Sequence, residues 1–331
     1  MPRDVVVLFV HGINTTYHDY YKPLLKRIVA ELPEEARSCV VPRPVFWGDI
    51  VRGRTEEYLY DADKSGKFKP HKIHHLAIGG LGDAAAYQKT EFVRNSAYYR
   101  IQAEFRKALS DVALSDNDTR PLVVIAHSLG CHITSTYAWD LHKYKDMAAT
   151  LKNGGSLETN VDADTAKYVD SLAEKTPLER LDTFAGFITM GCNMPLFTFT
   201  FGQQRVFPIT CSHSGTSPPP FPGSKLETSV RNKAKWLNFY SLNDPLGFPL
   251  KPLNQRYADD YFIEDRITVS EGPIRKGVYR WGLRPLASEA AHSNYWWDRR
   301  VAKGAADVIR DIMYAGRDDE LFLFPGVHRG A

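Results

Sequence analysis

Apolar residues along the chain form two patterns, and together these patterns predict an alternation of strands and helices. Short unbroken runs rich in branched residues are typical of strands that are covered on both faces. Apolar residues spaced by three or four positions indicate helices with one buried face. The predicted strands cover residues 5–10, 39–47, 122–126, 184–190 and 235–240. The predicted helices cover residues 19–32, 91–110, 129 to about 141, and 295–314.

This alternation predicts an α/β fold with three layers, in which helices cover both faces of a mostly parallel sheet. Pro42 and Pro44 interrupt the second strand, so we expect it to have a free edge or a bend. Three stretches break the rhythm and are interpreted as insertions into a single domain spanning residues 1–331; they lie at about 50–90, 144–180 and 192–234. The stretch from residue 246 to His292 is expected to be rich in loops.

Composition narrows the class of protein without identifying it. The 331 residues are 43% hydrophobic and 24% charged, which is typical of a soluble globular protein. The net charge of +3 falls short of the asymmetry expected of a nucleic-acid-binding protein. The cysteines form no CxxC pair, so they indicate neither a zinc site nor a dense disulfide framework; they are Cys39, Cys131, Cys192 and Cys211.

The N-terminal apolar run, Val5–Val10, is too short to be a transmembrane helix, and no small-residue cleavage site follows it. We therefore expect a cytoplasmic protein with no stable membrane insertion. An export route independent of such a signal stays open.

The pentapeptide Ala126-His127-Ser128-Leu129-Gly130 carries the strongest chemical signal. It matches the G-x-S-x-G pattern with alanine in the first position, and it joins a predicted strand to a predicted helix. That context favours a sharp turn that holds the Ser128 hydroxyl at its apex, with small residues on either side because the turn is tight. The alternative is that Ser128 only caps the helix.

A nucleophilic serine needs a base and a group that orients the base. Asp244 directly follows a predicted strand, which places its carboxylate at the same sheet edge as Ser128. A simple Asn243-Asp244-Pro245 turn is compatible with that role. The alternative acids, should Asp244 fail, are Asp259, Asp260 and Asp265.

His292 is the candidate base. It lies 48 residues after Asp244 and is the only histidine between Asp244 and Val327. A lone histidine in a loop is more often solvated or capping, but the order Ser, Asp, His matches the order that such a triad takes in this type of fold.

With the His11-Gly12 loop after the first strand, these motifs resemble those of the α/β-hydrolases, in particular serine esterases and lipases. The resemblance extends from Val5 to about residue 314, although the first predicted strand corresponds to the family's third, so we expect the family's first two strands to be missing. It implies an oxyanion hole formed by the backbone N–H groups of Ile13 and Leu129, with Gly12 permitting close approach. Asn14 could add a side-chain donor, although asparagine is also ordinary in a turn. The resemblance implies no metal and no organic cofactor.

Several residues are candidates for contact with substrate, and each has a structural alternative. The set comprises His11, Asn14, His127, Asp49, Phe197 and Phe199. For Asp49 we favour a role in holding a neighbouring loop. Residues 194–222 are interpreted either as a hairpin packed on the body or as a pocket wall or cap, and we favour the latter because long loops in compact domains are usually functional.

Two basic clusters are interpreted as solvated surface. His71, His74 and His75 with Lys72 lack the carboxylates or cysteines that would accompany them in a metal site. Arg275, Lys276, Arg280 and Arg284 could bind an anion, but a packed loop with solvated charges is favoured.

The sequence thus predicts an enzyme that cleaves small-molecule carboxylic esters through an acyl-enzyme on Ser128. An acyltransferase with the same triad is one alternative. The other is an inactive hydrolase fold that binds a partner or a lipid through residues 194–222.

Overall fold

A six-stranded parallel sheet forms the centre of the computed structural model of the chain. The strand order is β2-β1-β3-β4-β5-β6. The strands are β1 Val5–Val10, β2 Val40–Val45, β3 Leu122–His127, β4 Phe184–Met190, β5 Lys235–Tyr240 and β6 Ile263–Ile267.

The structure describes residues 1–66, 80, 82–88, 96–152, 175–199, 202, 205–212, 217–268 and 291–317, with the backbone alone for 54 and 146–152. Both predicted basic clusters, at 71–75 and 275–284, lie outside these residues. Among the helices of the described part, none is long and apolar enough to cross a membrane.

Helices connect the strands. The α-helices are α1 Lys22–Glu31, α2 Gly48–Lys64, α3 Ala97–Val112, α4 Leu129–Lys152, α5 Met194–Thr198, α6 Thr228–Arg231, α7 Gln255–Ala258 and α8 Arg299–Tyr314. Short 3₁₀ helices span Glu34–Cys39, Lys251–Leu253 and Asn294–Trp297.

Alternate residues of β1 face two separate hydrophobic cores, which is the period-two geometry of a strand. Val6, Leu8 and Val10 pack in one core with apolar residues of α3 and α4. Val5, Val7 and Phe9 pack in the other core with α1 and α8. Both faces of the sheet are therefore covered, and the α/β class that the sequence predicted is confirmed.

The two edge strands show what sequence patterns can and cannot detect. β2 contains Pro42 and Pro44 and lies at one edge of the sheet, as predicted. β6 lies at the other edge, within a stretch for which loops were expected. That expectation was wrong because β6 reads Ile-Glu-Asp-Arg-Ile, and its three central charged residues remove the apolar signature of a buried strand.

Helix bounds differ from the prediction in several places. The first predicted insertion begins with the regular helix α2, and α4 continues to Lys152, well past residue 141. The segment after β4 starts with the short helix α5, so this part is not a strand of a hairpin. The last predicted helix is divided at Asp298, whose side chain caps α8 by accepting bonds from the Arg300 and Val301 amides.

The strand order also shows where a binding site is expected. The chain passes from β1 to β2 on one side of β1, and β3 then lies on the other side. In open parallel sheets, ligands bind outside the carboxyl ends of the strands at such a reversal. The residues that follow β1 and β3 are His11-Gly12 and Ser128, so the predicted nucleophile lies at this point of the fold.

Candidate active site

Ser128 stands at a strained turn between β3 and α4. Its φ of +53° lies in the left-handed region that non-glycine residues rarely adopt. The turn is held by the Ser128 amide, which donates to the Met190 carbonyl oxygen at 2.9 Å. Backbone strain of this kind costs on the order of 1–3 kcal/mol and persists where the surrounding structure imposes it, often at functional sites.

Two glycines allow the backbone to pack tightly around this serine. A Cβ atom on Gly12 would lie 2.5 Å from the Cβ of Ser128, and one on Gly130 would lie 2.6 Å from the Val10 carbonyl oxygen. Such distances are far below van der Waals contact. Glycine is thus required at position 130 because the end of β1 packs directly against the first turn of α4.

The three predicted triad residues form a continuous series of hydrogen bonds. The Ser128 Oγ atom lies 2.7 Å from Nε2 of His292. On the other side of the ring, Nδ1 of His292 lies 2.9 and 3.0 Å from the two carboxylate oxygens of Asp244. Nδ1 donates to the carboxylate, so in the neutral ring Nε2 is the acceptor and is aimed at the serine hydroxyl.

Asp244 is held as a carboxylate by several donors. Besides His292, the Leu246 amide donates to Oδ1 at 2.9 Å and the Tyr295 hydroxyl donates to Oδ2 at 2.7 Å. Burial alone would raise the pKa of Asp244, but the hydrogen bonds from His292, Leu246 and Tyr295 outweigh burial and lower it below its ordinary value. Asp244 therefore stays negatively charged opposite the histidine ring.

Tyr295 is a site residue that sequence reasoning did not single out. Its pKa is raised, first by burial and then by the adjacent Asp244 charge, so its hydroxyl remains a proton donor. The same oxygen accepts the Ser241 amide at 3.0 Å, which links the end of β5 to the segment that follows His292. In the sequence, its position three residues after the candidate base His292 was the signal that could have marked Tyr295 as a site residue.

Gly191 supplies the space in which Asp244 and His292 meet. It follows β4 with a φ of +54°, and a Cβ atom there would lie 3.0 Å from Asp244 Oδ2 and 3.2 Å from His292 Nδ1. Both the backbone conformation and the available space require glycine at this position.

The predicted oxyanion donors lie beside Ser128. Leu129 is the first residue of α4, where the helix dipole favours negative charge, and Ile13 follows Gly12, which contacts Ser128. Within the described part of the chain, neither the Ile13 nor the Leu129 amide donates to a protein acceptor. Both N–H groups are thus available to a ligand oxygen.

His11 and His127, predicted as possible substrate contacts, are buried and use ring nitrogens to hold loops. His11 donates from Nδ1 to the Gly12 carbonyl oxygen, and its Nε2 accepts the Trp47 amide. His127 donates from Nε2 to the carbonyl oxygen of His292 at 2.6 Å, which fixes His292 to the turn that carries Ser128. Burial lowers the pKa of each ring to about 3, so both remain neutral.

The other predicted contacts occupy different environments. Asn14 adopts a φ of +57°, and its backbone N–H donates to Asp83 Oδ2. Asp49 is exposed and forms an ion pair with Arg52 at 3.3 Å. Phe197 stacks on His132 with ring centroids 4.0 Å apart, and Phe199 is 75% exposed at the end of α5.

The alternative acids are engaged away from Ser128. Asp265 accepts bonds from the Asn238 side chain and from the Leu250 and Lys251 amides. Asp260 caps the turn before β6 through the Phe262 amide, and Asp259 pairs with Gln255 at the surface. Of the four candidate acids, Asp244 is the one that the structure brings to His292.

Two cavities lie close to this constellation. One, of about 200 Å³, is bordered by the loop after β1, by α2 and by Asp83, and most of the residues that line it carry polar side chains. The other, of about 270 Å³, lies between α4, α5 and residues 205–207, and its walls include Trp139, Phe197 and Phe207. His132, one turn after Ser128, is at the near end of this apolar cavity. The sequence prediction of a pocket wall within 194–222 did not identify the polar cavity.

Comparisons with protein-family models, with curated proteins and with solved structures each gave no match to this chain. The function is therefore inferred from the geometry of the site.

Proposed function

We propose that the protein is a serine hydrolase of the α/β-hydrolase fold that cleaves carboxylic esters through an acyl-enzyme on Ser128. The observation that carries this proposal is the series of hydrogen bonds from Ser128 Oγ through His292 to Asp244, at 2.7 and 2.9 Å. A nucleophile bonded to a base that is oriented by a buried acid is the arrangement that serine-dependent acyl transfer requires.

In this mechanism, Ser128 Oγ attacks the acyl carbon while His292 Nε2 takes its proton. The Asp244 carboxylate holds the ring in the required tautomer and stabilises the imidazolium that forms. The amides of Ile13 and Leu129 hold the tetrahedral oxyanion, and losing one such donor typically lowers the rate by about two to three orders of magnitude.

His292 then protonates the leaving alkoxide, and the acyl group remains on Ser128. A water molecule, deprotonated by His292, attacks the acyl-enzyme and releases the carboxylic acid. No step in this sequence calls for a cofactor.

The fold-level assignment has independent support in the backbone. A serine on a strained turn between a parallel strand and a helix, followed in the chain by the acid and then by the histidine, is the α/β-hydrolase arrangement. The histidine's position just before the last helix, α8, agrees with the expectation from sequence. A small-molecule ester as substrate and a cytoplasmic location stay predictions.

Substrate access requires a rearrangement around the nucleophile, because Ser128 has no exposed surface and His292 is only 7% exposed. Exclusion of water from a closed site strengthens the electrostatic interactions on which the mechanism depends. We therefore expect labelling of Ser128 to be slower than that of an open serine hydrolase site.

A fluorophosphonate probe tests the nucleophile directly. We expect the wild-type protein and a Ser110→Ala control, altered at an exposed position of α3, to become labelled on Ser128. Ser128→Ala should abolish labelling, and His292→Ala should lower ester turnover by several orders of magnitude. Labelling that persists in Ser128→Ala would disprove the assignment.

Product analysis with added alcohols would distinguish hydrolysis from acyl transfer, and complete lack of labelling would favour an inactive binding protein.

A further inference from the structure

The polar cavity beside the nucleophile has walls from three parts of the chain. The loop after β1 contributes Gly12, Asn14 and Thr15, and helix α2 contributes Arg52, Thr55 and Glu56. Asp83 closes a third side and is itself only 6% exposed. Its volume of about 200 Å³ is below the roughly 300–1,000 Å³ of typical ligand pockets, so it suits a small ligand group.

Gly12 lies between this cavity and Ser128. The Gly12 backbone is so close to Ser128 that a side chain on it would overlap the Ser128 Cβ. The same glycine borders the cavity. A ligand group in the cavity would therefore be separated from Ser128 by the Gly12 backbone. It would lie on the side of the predicted oxyanion donor Ile13.

The cavity walls are fastened to this loop. The Asn14 amide donates to Asp83 Oδ2 at 3.3 Å, and Arg52 Nη2 donates to the Thr15 carbonyl oxygen at 2.9 Å. The loop that carries the predicted oxyanion donor and the walls of the cavity thus form one hydrogen-bonded unit, which would hold the polar groups in place before a ligand arrives.

The charges of the cavity favour a neutral ligand with hydroxyl groups. Asp83 and Glu56 provide carboxyl acceptors that disfavour an anion. The Arg52 guanidinium disfavours a cation. Its positive charge is partly neutralised by Asp49, whose Oδ1 lies 3.3 Å from Arg52 Nη1. Hydroxyl groups both donate and accept, so they match carboxylates, an arginine, an asparagine and threonine hydroxyls together.

We propose that this cavity binds the alcohol portion of the ester, and that this alcohol is a polyol such as glycerol or a single sugar ring. The inference rests on the proposed function. When the tetrahedral intermediate collapses, the bond between the acyl carbon and the polyol oxygen breaks. That oxygen takes the proton from His292, and the neutral polyol leaves while the acyl group stays on Ser128. The apolar cavity along α4 remains free for the acyl chain.

The test compares esters that share one acyl group and differ only in the alcohol. We expect the wild-type protein to cleave the glycerol or monosaccharide ester at least about tenfold more efficiently, by kcat/KM, than the ethyl ester, since a site with several polar groups discriminates strongly against a ligand that leaves them unpaired. Glu56→Ala and Thr55→Val should each reduce this ratio about threefold or more, because each removes a hydrogen-bonding group.

Glu57→Ala is the matched control, since Glu57 follows Glu56 on α2 and is exposed like it, but does not border the cavity. Its turnover of both esters and its ratio should equal those of the wild type. A wild-type ratio near one, or a ratio that neither cavity substitution changes, would overturn the proposal even if Ser128 reacts with the phosphonate probe.

A binding measurement keeps the two proposals separable. Saturation-transfer NMR with free glycerol or glucose on the Ser128→Ala protein should detect binding that Glu56→Ala and Thr55→Val weaken and Glu57→Ala does not. Binding without any phosphonate labelling of the wild type would retain the polyol site and reject the hydrolase. Labelling of Ser128 without polyol binding and without a preference for polyol esters would retain the hydrolase and reject the polyol site.

Discussion

At the scale of single residues, the site depends on groups that hold the triad as much as on the triad itself. Tyr295 donates to Asp244 and accepts the Ser241 amide, and His127 donates to the His292 carbonyl oxygen. These bonds connect the ends of β3 and β5 to the segment before α8. We infer that Tyr295 is a positioning residue, because its hydroxyl donates to Asp244 and, within the described part of the chain, makes no hydrogen bond to Ser128 or to the Ile13 and Leu129 amides.

Tyr295→Phe removes one hydrogen bond to a charged group, which is worth roughly 1.5–3 kcal/mol. We expect kcat to fall by roughly ten- to a hundredfold with little change in KM. Without this donor the pKa of Asp244 rises, so the carboxylate is protonated at a higher pH and the acid limb of the pH–rate profile moves upward.

The pH–rate profile distinguishes this role from simple packing. Tyr261→Phe, at a tyrosine that is 83% exposed, is the matched control and should leave the profile in place. A Tyr295→Phe protein with an unshifted acid limb would show that the hydroxyl does not act on Asp244.

Asp83 gives a second residue-scale prediction, on stability. Burial raises the pKa of Asp83 from 3.8 to about 6 in the folded protein. Between about pH 4 and pH 6 the folded state therefore binds more protons at this site than the unfolded state, so stability falls as the pH rises. Above this range the charged, buried carboxylate costs up to about 2–3 kcal/mol.

Asp83→Asn removes this ionisation while retaining an oxygen that can accept the Asn14 amide. Its free energy of unfolding relative to wild type should increase from about pH 4 to about pH 7 and then level off. Urea unfolding across this range measures the difference, with the exposed Asp116→Asn as control. A difference that is constant with pH would mean that Asp83 has the same pKa in both states.

At the scale of elements, the apolar cavity depends on how α4 meets α5. His132, Ser135, Thr136 and Trp139 share one face of α4 because their spacing follows the helical repeat, and all four border the cavity. Phe197 of α5 stacks on His132 at the end nearest Ser128. This face is therefore the natural binding surface for an acyl chain if Ser128 is acylated.

Filling this cavity should change which esters are cleaved. Ser135 is 9% exposed and lies two helical turns past Ser128, so Ser135→Leu should shorten the acyl chain that is cleaved best in a series of nitrophenyl esters. Rates on the acetyl ester should change less than about threefold, whereas those on long-chain esters should fall by about tenfold or more. Ser110→Leu, on the exposed surface of α3, is the control. An unchanged chain-length profile would place the acyl chain elsewhere.

The elements also show how much of the fold and site was predictable from sequence. β1, β3, β4 and β5 were predicted because burial on both faces leaves continuous apolar runs, and Asp244 was predicted because it lies in the turn that follows β5. β6 was missed because an edge strand needs only part of its surface to be apolar. The hydrogen bonds of Tyr295 to Asp244 and of Asp83 to Asn14 were not predictable, since each joins segments that are distant in the chain.

At the scale of the whole molecule, two cores on opposite faces of the sheet hold the ends of the strands in register. The core that contains α8 also includes Tyr295 and Trp296, which directly follow the His292 segment. Packing of α8 on β1, β4 and β5 therefore anchors the segment that delivers His292 to Ser128. Stability of this core and assembly of the site are linked through the same helix.

Ile309→Ala tests how much this core contributes to stability, because Ile309 is fully buried in α8, which packs on α1 and on the sheet. Truncating a buried isoleucine leaves a cavity and typically costs about 2–5 kcal/mol, so the urea midpoint should fall while the slope of the transition stays the same. Lys303→Ala changes the exposed side of the same helix, where the lysine is 64% exposed, and should alter stability by less than about 0.5 kcal/mol. Because Ile309 lies several turns beyond Tyr295, turnover per phosphonate-labelled molecule should remain at the wild-type level in mild conditions. A loss of turnover per labelled molecule, with most of the protein folded, would instead mean that the α8 core sets the geometry of His292 directly.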